Sequence, residues 1–140
     1  MFNLKYIAGA ILFFLFFLIA CSEESDNNNV VSPGTSATPT FSEVNQQVFQ
    51  ASCAFSGCHA SNTKKAGLDL SSANAYNNLV NVTSTQNSAL KRVSPNNSAD
   101  SWLIKKLNGS GTSVMPPAGS LSSDKIDMVK AWIDAGAKND

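Results

Sequence analysis

Apolar and polar positions divide this chain into three parts. Tyr6 to Ile19 is apolar almost without a break, Ser22 to Pro39 is nearly all polar, and after Thr40 apolar side chains return at helical intervals. Phe41, Val44, Val48 and Phe49 repeat along one helix face, and Thr40 with Glu43 three residues on has the form of a capping box. A first helix is therefore expected over Phe41 to Ala51, with Asn45, Gln46, Gln47 and Gln50 covering much of its remaining surface. Ser72 to Val80 reads as a short serine-capped helix that buries Tyr76, Leu79 and Val80. The turn signal Pro95-Asn96-Asn97 precedes Ser98, which can cap a third helix running through Leu107. Its apolar face would be Ala99, Trp102, Leu103 and Leu107, with Lys105 and Lys106 at the C-terminal end and Gly109 as terminator. Ser122 caps a final helix in which Ile126, Val129 and Ile133 form a stripe that Trp132 extends, and Gly136 closes it. Lys130 and Asp134 are spaced as an i, i+4 pair on the wetter side. Gly67 to Leu70 is too brief to establish a strand, and Val82 to Val93 reads mostly as loop. The expected fold class is all-α, one small helical domain over residues 40–138.

The apolar opening follows Lys5 and ends at Leu18-Ile19-Ala20-Cys21, which resembles the lipobox of bacterial lipoproteins. Its roughly 14 apolar residues fall short of the roughly 20 that a helical membrane span requires. The resemblance implies a signal over residues 1–20, cleavage before Cys21 and lipid on that cysteine, leaving the chain anchored in the cell envelope outside the cytoplasm. Residues 21–39 bury too little apolar surface to offset the entropy of ordering, so they read as a flexible tether. Lipid on Cys21 leaves Cys53 and Cys58 as the remaining thiols, in a compartment where disulfides and covalent haem are both permitted.

Of the 140 residues ten are basic and ten acidic, and no basic block points to nucleic acid. The chemistry concentrates in Cys53-Ala54-Phe55-Ser56-Gly57-Cys58-His59, which contains the single histidine of the chain. In C-x-x-C-H, two thiols add to the vinyl groups of a porphyrin and the adjacent imidazole becomes an axial iron ligand. The same chemical groups stand here in the same order, with four residues between the thiols. A second axial donor is needed, and Met115 precedes Pro116 and Pro117, which fix the backbone and keep that loop from becoming helix. Met128 lies inside the last helix, where packing is the expected role. His59 and Met115 are therefore the expected iron ligands, a pairing that raises the reduction potential relative to two imidazoles.

With the N-terminal helix leading into C…CH, the distal Met-Pro-Pro loop and the terminal Trp132-Ile133-Asp134-Ala135-Gly136-Ala137, the region Phe41 to Lys138 resembles the cytochrome c domain, and more narrowly the small haem domains of bacterial lipoproteins and planctomycete-type cytochromes. The resemblance implies a compact helical fold whose first and last helices cross, one covalent haem c on Cys53 and Cys58, and single-electron transfer with redox partner proteins. The C-x4-C-H spacing is its departure from the common motif.

The competing expectation is a haem-free domain in which Cys53 and Cys58 form a local disulfide and the protein serves as a binding or assembly module. Trp102 and Trp132 are expected in the core. Arg92 or Lys91 could meet a haem carboxylate, although a solvated surface charge is the expected role of both. A zinc site would lack its usual fourth Cys or His, and no thiol-oxidoreductase, Ser-His-acid or phosphate-loop pattern appears, so no catalysis of its own is expected.

Overall fold

The computed structural model describes residues 37–140; the expected signal, Cys21 and all but the last residues of the tether lie outside them. The described region is helical, with isolated β-bridges in place of a sheet. Helix α1, Phe41–Val44, starts at the expected capping box: the Thr40 N–H donates to Glu43 Oε2 at 2.8 Å and the Glu43 N–H donates to Thr40 Oγ1 at 3.2 Å. The Thr40 backbone N–H first, and then the Thr40 hydroxyl, which donates to the same Oε2 at 3.0 Å, hold the Glu43 carboxyl below its ordinary range.

Beyond Val44 the helix widens into a π-helical turn, Asn45–Gln50. This is a departure from the regular helix expected through Ala51, and Asn45 explains it. Expected on the surface, Asn45 is buried, donating to Ser72 Oγ at 3.2 Å and accepting from Gln50 Nε2 at 2.8 Å. The wider turn brings these two side chains, five residues apart, onto one side, and Gln50 also reaches the Leu70 carbonyl at 2.7 Å. Val44, Val48 and Phe49 remain buried as the spacing predicts.

The second and third helices are shorter than expected at their N-termini. Helix α2, Ala75–Leu79, begins after a turn that Asp69 organises by accepting the Ser71 N–H at 2.9 Å and Asn74 Nδ2 at 3.0 Å. Ser72 is therefore not its cap. Leu79 is buried, while Tyr76 and Val80 are partly buried against the core.

Helix α3, Trp102–Asn108, begins after Ser101, because Ser98 is engaged elsewhere: its N–H and hydroxyl both donate to the Asp134 carboxylate, at 2.8 and 2.9 Å. That engagement also replaces the expected Lys130–Asp134 pair, and Lys130 binds Asp127 at 2.9 Å. Ile104 and Leu107 are the buried apolar face of α3, whereas Ala99 is exposed and Trp102 and Leu103 are partly exposed. Gly109 ends the helix in the left-handed conformation, as expected, with φ 67°.

Helix α4, Ser123–Asp134, buries Val129, Trp132 and Ile133 and packs against both α1 and α3. Trp132 is 1% exposed, with its ring centroid 5.4 Å from that of Phe41, and its indole N–H donates to the Lys138 carbonyl at 2.9 Å. The chain end then closes over α1. Asp140 accepts the Phe41 and Ser42 N–H groups, two donors that the start of a helix leaves without intrahelical partners.

Trp132 thus joins the first helix, the last helix and the terminal segment. In denaturant unfolding, Trp132→Ala is expected to lower stability by about 3–5 kcal/mol, the range for truncating a buried aromatic. A loss below 1 kcal/mol would show that this junction does not hold the domain together.

Candidate functional site

The π-helical turn delivers the chain into the loop that starts at Cys53. The Cys53 and Ala54 N–H groups both donate to the Phe49 carbonyl at 2.9 Å, which ends the helix. The loop then winds back on itself: the Cys58 N–H reaches the Phe55 carbonyl at 3.0 Å, and the His59 N–H reaches the Cys53 carbonyl at 3.2 Å. Gly57, at φ 83°, supplies the left-handed residue this path requires, and its N–H donates to Thr63 Oγ1 at 3.0 Å. Four intervening residues are accommodated while the first thiol residue and the histidine stay joined through the backbone.

His59 is fixed by its ring as well as its backbone. Nδ1 lies 3.2 Å from the Leu68 carbonyl, an acceptor, so the ring carries its proton on Nδ1 and presents Nε2 as a lone-pair donor. Metal-bound histidines are oriented by this kind of contact. The Leu70 N–H in turn donates to the His59 carbonyl at 2.8 Å, securing the strip that carries the acceptor.

Met115 comes from the far side of the domain. Its N–H donates to the Lys106 carbonyl of α3 at 2.8 Å, and its peptide bond to Pro116 is cis. The Lys106 side chain donates to Thr112 Oγ1 at 3.0 Å, so the same residue anchors the preceding loop. Met128 packs against the core from α4, in keeping with its expected role.

Cys53, Cys58, His59 and Met115 all line one cavity of about 430 Å³, within the range of sites that enclose a cofactor-sized ligand. Leu68, Trp102, Leu103, Leu107, Pro116 and Pro117 make much of its wall apolar. Trp102, expected in the core, belongs to this wall instead, and its indole N–H donates to Gln86 Oε1 at 3.2 Å. Helical spacing placed Trp102 on an apolar face without indicating that the face borders a cavity.

Arg92 is a second correction. Expected as a solvated charge, it is buried and lines the cavity. Lys91 is exposed, with Nζ 2.8 Å from Asn81 Oδ1. No periodic pattern marks residue 92, so sequence spacing gave no signal for it.

Cys53 and Cys58 are free thiols. Burial first, and then the neighbouring Cys58, push the Cys53 thiol up to about 11. Such a thiol is held protonated, with Sγ 3.8 Å from the Val48 carbonyl. Among the described residues, no three His, Cys, Asp or Glu side chains gather as a metal cluster, so an iron here would need the imidazole, the thioether and a macrocycle to complete its shell.

Compared with protein-family models, curated proteins and solved structures, the chain matches none.

A thiol whose proton is held more tightly in the folded than in the unfolded chain contributes stability that is complete below the unfolded value and lost as pH rises through the folded one. Haem-free protein is therefore expected to lose stability between about pH 9 and 11 more steeply than Cys53→Ala. At pH 8, Cys53 should be alkylated on the order of 100-fold more slowly in the folded than in the unfolded chain, following the thiolate fraction. Equal alkylation rates and parallel pH profiles would contradict a buried, protonated Cys53.

Proposed function

We propose that this protein is a lipid-tethered, monohaem c-type cytochrome that passes single electrons between redox partners at the cell envelope. The observation that carries this reading is the convergence of Cys53, Cys58, His59 and Met115 on one largely apolar cavity of about 430 Å³. These residues stand in two stretches of sequence more than fifty positions apart, and a disulfide-bonded module would have no use for Met115 in the same cavity.

The residues present fit the group by the chemistry of their donors. Cys53 and Cys58 would be the thioether attachments, His59 Nε2 the proximal ligand and Met115 the distal one. Bound haem supplies the one-electron chemistry of its iron. The chain does the rest. Leu68 holds the imidazole in the tautomer that leaves Nε2 available, and Lys106 holds the backbone of Met115. Leu103, Leu107 and Trp102 keep the cavity apolar, which excludes water from the ligand atoms. The anchor on Cys21 and the tether that follows would keep the domain at a membrane while allowing it to meet its partners.

Expressed together with haem-maturation machinery, the protein should carry one haem that survives denaturation, seen as added intact mass and as a c-type pyridine haemochrome spectrum. A colourless chain with a Cys53–Cys58 disulfide under those conditions would overturn the reading in favour of the haem-free module. Met115→Ala should abolish the sulfur-to-iron charge-transfer band, and Met128→Ala should leave it in place. The reverse result would reassign the distal ligand.

A further inference from the structure

Arg92 is 7% exposed, and its guanidinium donates to three backbone carbonyls: Nη1 to Asn78 at 2.9 Å, and Nη2 to Ala66 at 3.2 Å and Gly67 at 3.3 Å. These carbonyls engage three of its five N–H groups without neutralising its charge. Among the described residues the two salt bridges are Lys64–Asp69 and Lys130–Asp127, and neither involves Arg92. Burial lowers its affinity for its proton, the direction expected of a charge removed from water without a counter-charge. Lys65 and Lys106 line the same cavity, and among the described residues no Asp or Glu does.

The local backbone is shaped around this arginine. Lys64 and Ala66 adopt left-handed conformations with φ 47° and 54°, which are strained for a residue with a Cβ. That conformation accompanies the presentation of the Ala66 and Gly67 carbonyls to the guanidinium, and Thr85 Oγ1 reinforces it by donating to the Ala66 carbonyl at 3.1 Å. From the other side, the Arg92 N–H donates to the Val82 carbonyl at 2.7 Å, and the Leu103 N–H of α3 donates to the Arg92 carbonyl at 2.9 Å. A buried cation fixed this firmly, with no acid beside it, is preorganised for an anion supplied by whatever fills the cavity.

We propose that Arg92 is the receptor for a carboxylate of the cofactor that occupies this cavity, so that the site selects an anionic porphyrin; this inference rests on the haem reading above. The guanidinium matches carboxylate geometry, and the pairing would neutralise two charges that are each costly to bury alone.

The test uses the haem-free full chain with iron mesoporphyrin IX, whose saturated side chains give the thiols nothing to add to, and with its dimethyl ester. The dicarboxylate is expected to bind about ten-fold or more tightly than the diester, the effect of one charge-assisted contact. Arg92→Met should weaken binding of the dicarboxylate to the level of the diester and leave the diester unchanged. Equal affinity of the unmodified chain for both porphyrins would overturn the proposal without reference to any variant. A preference that persists in a folded Arg92→Met chain would also overturn it, moving the carboxylate to Lys65 or Lys106. If neither porphyrin shifts its Soret band on mixing, the haem reading fails and takes this inference with it.

Discussion

The contact between His59 Nδ1 and the Leu68 carbonyl links the loop from Cys53 to His59 to the strip of chain that floors the cavity. An imidazole offers two nitrogens, and committing one to a backbone acceptor decides what the other can do. With Nδ1 carrying the proton, Nε2 is left as a donor of electrons. The surrounding hydrogen bonds serve the same end. The His59 N–H returns to Cys53, the Lys65 N–H donates to the Cys58 carbonyl at 3.0 Å, and the Leu70 N–H donates to the His59 carbonyl. A loop four residues long between the thiols could have let them drift away from the histidine; these backbone contacts prevent it.

The energetics of the domain point the same way. The core formed by α1, α2, α3 and α4 is small, and beside it lies a cavity of about 430 Å³ with a largely apolar wall. Leaving apolar surface unpacked forfeits stabilisation in proportion to the volume left open. Small domains commonly make up such a deficit with a metal, disulfides or a large buried group. Under the proposed function a covalently held haem fills that role, and the folded chain and its cofactor stabilise each other by linkage. The buried Arg92 and the protonated Cys53 border this same cavity.

Much of this was legible in the sequence, and what was not has physical causes. The Thr40–Glu43 capping box, the Gly109 terminator and the buried stripe of Val129, Trp132 and Ile133 depend on local spacing, which a sequence displays. The starts of α2 and α3 depend on partners distant in sequence or on competing turns. Ser98 looked like a cap until Asp134, 36 residues away, took both its donors. Asn45 looked like a surface residue because the π-helical turn that buries it is set by Ser72 and Gln50. At the site, Cys53, Cys58, His59 and Met115 were recognisable by chemical type. The guanidinium of Arg92 marked it as a possible carboxylate partner, but its burial, like the place of Trp102, was not legible, because both follow from the cavity they border.

The account stands or falls on whether His59 and Met115 meet at a single iron. X-ray absorption at the iron edge of the reduced, matured protein measures this directly. The account predicts a first shell of porphyrin and imidazole nitrogens with a single thioether sulfur. A shell containing only nitrogen or oxygen donors, or a thiolate in place of the thioether, would contradict it.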